Sequence, residues 1–77
     1  MRQPESKRRI HLRVKELAEE MHLSDLELAH KAGVDARVIR RMWADQYEHI
    51  LLHQLVRVAE ALGVSVCELI EEQTKDN

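Results

Sequence analysis

The stretch SDLELAHKAGVDARVIRRMW, residues 24–43, predicts two short helices joined by a tight turn. Ser24 and Glu27 form the S-x-x-E capping box, in which each side chain satisfies a backbone N–H group that the start of a helix leaves unpaired. Gly33 ends the first helix, because glycine adopts the left-handed conformation found at helix C-termini at little cost. Asp35 is then the N-cap of the second helix, a role worth about 1 kcal/mol relative to alanine.

The second of these helices has two different faces. Its apolar face consists of Val38, Ile39 and Met42. The other face has the i, i+3, i+4, i+7 spacing of a single helical stripe and consists of Arg37, Arg40, Arg41 and Ala44. A short helix that exposes three arginines while apolar residues anchor it from behind is typical of a helix that enters the major groove of DNA.

The stretch resembles the helix-turn-helix of the Cro/cI-like, xenobiotic-response-element (XRE) family of bacterial and phage DNA-binding proteins. The residues that carry the resemblance are Leu23-Ser24, Leu28-Ala29, Ala32-Gly33-Val34, Ile39 and Arg41. It continues through ILLHQLVRVAEALGV, residues 50–64, and covers residues 10–72. The resemblance implies an all-α, compact five-helix lambda-repressor-like domain with a central helix-turn-helix.

Composition is compatible with this fold. The 77 residues have room for one domain, 44% of them are hydrophobic, 34% are charged, and glycine, proline and aromatic residues are scarce. The sequence contains neither a membrane-spanning apolar run nor the apolar region of a signal peptide. Its single cysteine, Cys67, suits a reducing compartment, so we expect a cytoplasmic protein without membrane contact.

Charge is unevenly distributed along the chain. The formal net charge is -2, but residues 1–44 hold ten Lys/Arg and seven Asp/Glu, for +3, and residues 45–77 hold two and seven, for -5. DNA binding requires a local positive face rather than a positive total. The half of the chain that contains the arginine-rich helix meets this requirement.

The chain divides into a basic N-terminal tail over residues 1–9, a helical domain over residues 10–73 and a C-terminal tail over residues 74–77. The N-terminal tail is predicted to be flexible and is either a solvated terminus or an arm on the DNA backbone, with Lys7, Arg8 and Arg9 as its contacts. Ile10 and Val14 fit both helical spacing and a strand-like alternation with Leu12. Residues 10–13 are therefore either extended or part of the first helix.

Two further helices are predicted in the C-terminal half. The apolar face of the fourth helix consists of Leu52, Leu55, Val56, Ala59 and Leu62, and Gly63 ends it. Ser65 and Glu68 form a second capping box before a fifth helix, whose apolar residues are Val66, Leu69 and Ile70. Full burial is predicted for Leu28, Ile39, Leu55, Ala59 and Leu62. Leu51, Val66 and Ile70 form either a dimer contact or part of the core of a monomer.

The resemblance implies a set of DNA-binding residues around the two central helices: Ser24, Asp35, Ala36, Arg37, Arg40, Arg41, Gln46 and Tyr47. Three acidic residues depart from the family. Asp25 replaces a glutamine that often contacts phosphate, and Asp45 and Glu48 lie where the family has a glycine and basic residues. Asp45 tolerates a left-handed conformation, but all three carboxylates oppose tight DNA binding.

No catalytic or cofactor site is predicted. His49 and His53 have the spacing of metal ligands on a helix, but no cysteine or carboxylate nearby completes a recognisable set. The sequence therefore indicates a non-enzymatic, sequence-specific transcriptional regulator, either a repressor or an antitoxin-like autoregulator. It reads double-stranded DNA with its third helix and is expected to be a homodimer at least on DNA. The alternative is a protein-interaction module that keeps the helix-turn-helix scaffold and binds DNA weakly or not at all.

Overall fold

The computed structural model describes the backbone of residues 8–74 and the side chains of residues 9–72. Within this range the chain forms five α-helices, one 3-10 turn and two strands. In chain order they are β1 (Arg8–Leu12), α1 (Val14–Glu20), α2 (Asp25–Ala32), α3 (Ala36–Trp43), the 3-10 turn (Tyr47–His49), α4 (Leu52–Leu62), α5 (Val66–Leu69) and β2 (Ile70–Thr74). The predicted five-helix domain is confirmed, and the structure adds a small sheet.

One apolar cluster holds these elements together. Every helix and β1 contribute to its twelve buried side chains, which are Leu12, Val14, Ala18, Leu28, Ala29, Val38, Ile39, Met42, Val58, Ala59, Leu62 and Leu69. No polar or charged residue in the described part of the chain is buried. Burial of apolar area is therefore the main stabilising contribution to this fold.

In the fourth helix the predicted burial of Ala59 and Leu62 is confirmed, but that of Leu55 is wrong. Val58, Ala59 and Leu62 are the buried residues of α4, whereas Leu55 is only partly buried. Leu52 is 69% exposed and Val56 is also exposed. Because α4 has apolar residues around most of its circumference, periodicity alone does not determine which face is buried.

The two strands pair in antiparallel fashion and join the ends of the domain. Leu12 lies opposite Ile70, His11 opposite Glu71 and Ile10 opposite Glu72. The Arg13 N–H donates to the Leu69 carbonyl at 2.7 Å, just beyond the last strand pair. Residues 10–12 are therefore extended, which resolves the ambiguity between strand and helix.

The sheet also changes the predicted boundaries. β1 begins at Arg8, inside the range predicted as a tail, and β2 reaches Thr74, one residue beyond the predicted domain. The fifth helix ends at Leu69, so Ile70 lies in a strand rather than in a helix. Nothing in IEEQT by itself predicts a strand, because its pairing partner lies at the other end of the chain.

Four helices end in the same way, with a left-handed residue followed by a backbone hydrogen bond to the carbonyl five residues earlier. The left-handed residues are His22 (φ 59°), Gly33 (φ 71°), Asp45 (φ 58°) and Gly63 (φ 73°). The closing bonds run from Leu23 to Ala18, from Val34 to Ala29, from Gln46 to Arg41 and from Val64 to Ala59. The predicted left-handed Asp45 is confirmed, and so are the two glycine termini. His22 has no comparable signal in the sequence.

The starts of α4 and α5 each use a side-chain acceptor on the third residue of the helix. The Glu68 carboxylate accepts hydrogen bonds from the Ser65 N–H at 2.9 Å and from the Ser65 hydroxyl at 3.3 Å. At α4, the side-chain oxygen of Gln54 accepts from the Leu51 N–H at 2.8 Å, although Leu51 has no polar side chain with which to reciprocate. Both starts thus satisfy one N–H group that the helix leaves unpaired.

Candidate nucleic-acid interface

The α2–turn–α3 unit begins and ends at the residues that the sequence predicts. The Ser24 hydroxyl accepts from the Glu27 N–H at 3.1 Å, and the Glu27 carboxylate accepts from the Ser24 N–H at 2.8 Å. Gly33 ends α2, and the Asp35 carboxylate accepts from the Arg37 N–H at 2.7 Å. These caps fix the start and end of α2 and the start of α3, and therefore the length of the turn between the two helices.

A contact from α4 supports this turn. The Arg57 guanidinium donates to the Gly33 carbonyl at 3.3 Å. This carbonyl lies at the C-terminus of α2, where carbonyl groups lack helical partners and a positive charge is favoured by the helix dipole. Arg57 was not among the predicted functional residues, because its partner lies 24 positions away in sequence.

The two faces of α3 are segregated as the sequence predicts. Val38, Ile39 and Met42 are buried in the core. The opposite side is exposed and carries Arg37, Arg40 and Arg41, while Ala36 is partly buried at the start of the helix. The core thus anchors α3 along one side and leaves a stripe of guanidinium groups in solvent.

Two of the three arginines have carboxylate partners. Asp35 accepts from Arg37 at both of its oxygens, from Nε and from a terminal nitrogen, each at 3.2 Å. Asp25, at the start of α2, accepts from Arg40 Nε at 3.0 Å. Arg41 has no such partner in the described part of the chain. The three arginines are therefore electrostatically different.

The ion pairs also change the protonation equilibria of the carboxylates. The hydrogen bond from Arg40, followed by that from the Leu26 N–H, keeps the pKa of Asp25 below its ordinary value. The side chain and then the backbone N–H of Arg37 do the same for the pKa of Asp35. Both carboxylates stay ionised at neutral pH, so the surface of α3 contains charges of both signs.

The loop after α3 presents the remaining predicted contacts. Gln46 and Tyr47 are exposed, and so is Glu48. Tyr47 lies beside β1 in an open depression of about 360 Å³, whose lining residues are Arg9, Ile10, His11, Asp45 and Tyr47. Arg9 of the predicted arm and Tyr47 of the loop are therefore brought together. Lys7 and the side chain of Arg8, the other two arm residues, lie outside the described part of the structure.

Asp45 connects this loop to the start of the domain. One of its carboxylate oxygens accepts from the Leu12 N–H at 2.9 Å, and the other bonds to Nδ1 of His11 at 2.9 Å. The second ring nitrogen of His11 bonds to Glu16 of α1. The sequence placed His11 in no site, because its partners lie 34 and 5 positions away in sequence.

The other predicted contacts lie apart from α3. Leu51 is 55% exposed and Ile70 is 39% exposed, whereas Val66 is partly buried against the core.

His49 belongs to the 3-10 turn and His53 to α4, so the two do not share one helix. Among residues 8–74, no group of three or more His, Cys, Asp or Glu side chains is arranged so that it could hold a metal ion. Within the same residues, no helix is long and apolar enough to cross a membrane.

Comparison with known proteins gives one match. A family model for the Cro/C1-type helix-turn-helix DNA-binding domain matches residues 12–75. No curated protein and no solved structure matches the chain significantly. The matched segment starts at the last residue of β1 and includes all five helices and β2. The chain therefore belongs to the Cro/C1-type helix-turn-helix DNA-binding family, and double-stranded DNA is the partner that this family binds.

Proposed function

We propose that this chain is a sequence-specific transcriptional regulator that inserts α3 into the major groove. The observation that carries the proposal is the exposed row Arg37, Arg40 and Arg41, held outward by the buried face of the same helix. Arginine donates two parallel hydrogen bonds to O6 and N7 of guanine, which is the commonest specific contact in the major groove. Arg37 and Arg40 supply base contacts, and Arg41 contacts the backbone.

Phosphate contacts complete the proposed interface. The start of α2, at Ser24, offers the positive end of a helix dipole to a phosphate. Gln46 and Tyr47 donate from the loop that follows α3, and Arg9 lines the same depression as Tyr47. Such contacts position a protein on the duplex without reading its sequence. We place Lys7 and Arg8 with Arg9 as an arm on the same backbone.

The regulator acts as a homodimer on DNA in this proposal. One short helix reads only a few base pairs, and two-fold pairing places two recognition helices about 34–36 Å apart on one face of the duplex. Leu51, Val66 and Ile70 are the proposed dimer contacts. Because its proposed ligand is DNA, we place the protein in the cytoplasm. There it acts as a repressor or an antitoxin-like autoregulator by occupying its operator.

A second candidate function is supported by the apolar surface of α4. Leu51, Leu52 and Val56 are exposed at or near the start of this helix, and exposed apolar groups of this kind occur at protein interfaces. The carboxylates beside Arg37 and Arg40 weaken their attraction to DNA. A protein-interaction module with weak or absent DNA binding is therefore the alternative.

The deciding experiment is selection of duplexes from a random pool, followed by anisotropy titrations at two salt concentrations. We expect the protein to enrich a defined motif, and Arg37→Ala to relax its sequence preference. Arg41→Ala should instead weaken all duplexes alike and lower the salt slope by about one unit. Lys15→Ala, an exposed change of the same charge on α1, is the control. If Arg37→Ala and Arg40→Ala both leave affinity and preference unchanged, α3 is not the reader and the protein-interaction function is favoured.

A further inference from the structure

The pair Asp25–Arg40 joins the two helices of the helix-turn-helix on their exposed side. Asp25 is the first residue of α2, and Arg40 lies 15 positions later in the middle of α3. One oxygen of Asp25 accepts from the Leu26 N–H at 2.8 Å, and the other accepts from Arg40 Nε at 3.0 Å. The Asp25 carboxylate is therefore fixed by a backbone N–H group of α2 and at the same time binds the guanidinium group of Arg40 on α3.

This bond uses only one edge of the guanidinium group. Arginine has five N–H donors in a planar fork, and the contact with Asp25 engages Nε. Four N–H donors on the two terminal nitrogens remain for a ligand. Two of them lie side by side in the geometry that matches O6 and N7 of guanine.

We propose that Asp25 is a positioning residue that holds Arg40 by Nε so that its terminal nitrogens read a guanine in the major groove. This inference rests on the proposed function. An unrestrained arginine loses rotamer freedom on binding, and a carboxylate that already holds one edge reduces that loss. The same carboxylate disfavours contact of Arg40 with a phosphate, so the pair increases discrimination among bases rather than overall affinity.

Arg37 and Arg41 provide an internal comparison. Asp35 holds Arg37 along one edge, through Nε and one terminal nitrogen, and thus restrains it in a similar way within a single helix end. Arg41 lacks a carboxylate partner in the described part of the chain and stays available for phosphate. Asp25, which opposes DNA binding in the sequence, is thereby assigned a role in specificity, and Asp35 restrains Arg37 in the same way.

The test is a double-mutant cycle on the duplex that wild-type protein selects from a random pool. Arg40→Ala identifies the base pair that Arg40 reads, because only preference at that position falls. Asp25→Asn keeps an acceptor for the Leu26 N–H but removes the charge. We expect it to reduce the preference for guanine at the same position by about fivefold or more. Glu60→Gln, an exposed change of equal charge on α4, is the matched control.

The outcomes separate this inference from the function on which it rests. The positioning role is supported if Asp25→Asn affects that one base pair and has no further effect in the Arg40→Ala background. It is overturned if the preference is unchanged, if all base pairs lose preference equally, or if the effect persists without Arg40. In each of these cases, the proposed function still stands if the wild-type protein enriches a defined DNA motif. A wild-type protein that enriches no motif overturns the proposed function itself, and the inference with it.

Discussion

The ring of His11 bonds through Nδ1 to the carboxylate of Asp45, 2.9 Å away, and so ties β1 to the loop that follows α3. The other ring nitrogen bonds to Glu16 of α1. Ionised carboxylates only accept hydrogen bonds, so a histidine held between two of them must carry a proton on each nitrogen. The hydrogen bonds that the ring donates to Asp45 and then to Glu16 accordingly raise the pKa of His11 from 6.5 to about 9.

This arrangement predicts a pH dependence of stability. Because the pKa of His11 is about 9 in the folded state and 6.5 in the unfolded state, its contribution is complete below pH 6.5 and is lost as the pH rises to about 9. We expect the free energy of unfolding in urea to fall over this interval. His11→Gln should remove that part of the slope. An NMR titration that places the pKa of His11 near 6.5 in the folded protein would contradict the prediction.

The left-handed helix termini predict opposite effects for the same substitution. His22→Gly should raise the free energy of unfolding by up to about 1 kcal/mol, because a side chain at φ 59° is strained there. Asp45→Gly, at φ 58°, should lower it instead, because the carboxylate bonds to His11 and Leu12. Urea denaturation measures both changes. A loss of stability in His22→Gly would show that its side chain has a stabilising role of its own.

The orientation of α4 predicts a contrast between two of its leucines. Leu62→Ala should cost about 2–5 kcal/mol, because Leu62 is buried in the core. Leu52→Ala removes the same atoms from a 69% exposed side chain and should change stability by less than about 0.5 kcal/mol. Thermal unfolding of the two variants measures the difference. Equal losses would show that the buried face of α4 also includes Leu52.

The proposed dimer predicts a concentration-dependent mass. Wild-type protein without DNA should sediment as a dimer at high concentration, and Leu51→Lys should shift it to the monomer. Leu26→Lys is the control, because Leu26 is a similarly exposed leucine on α2. A wild-type protein that remains monomeric at every concentration would exclude a stable dimer in the absence of DNA.

The helix termini show how much of the fold is local. Ser24 with Glu27, Gly33 and Asp35 act within a few residues of themselves, and their predicted roles are confirmed. The stripe of arginines on α3 could be predicted for the same reason, since a helical period and one amphipathic face define it. His22 is an exception, because the enrichment of histidine at positive φ is too weak to mark one histidine among five as a helix terminus.

The apolar residues of α4 show where prediction from local pattern fails. One helical face fits Leu52, Leu55, Val56, Ala59 and Leu62, and another fits Val58, Ala59 and Leu62. Only packing against the other helices determines that the second face is buried. The strand character of residues 70–74 has the same origin, because it depends on pairing with residues 8–12.

The sequence by itself determined five helices, the caps of α2 and the N-cap of α3, the apolar and basic faces of α3, and a resemblance to a DNA-binding family. These features depend on interactions within about one or two helical turns, which a linear pattern records. The tertiary structure alone decided the sheet, the cluster of His11 with Asp45 and Glu16, and the pairing of Asp25 with Arg40. Most of these contacts join residues that lie far apart in the chain and meet only after the helices pack. From the sequence alone, Asp25 at the start of α2 opposes DNA binding. Because the two helices pack together, Asp25 instead becomes a hydrogen-bond partner of Arg40 on α3.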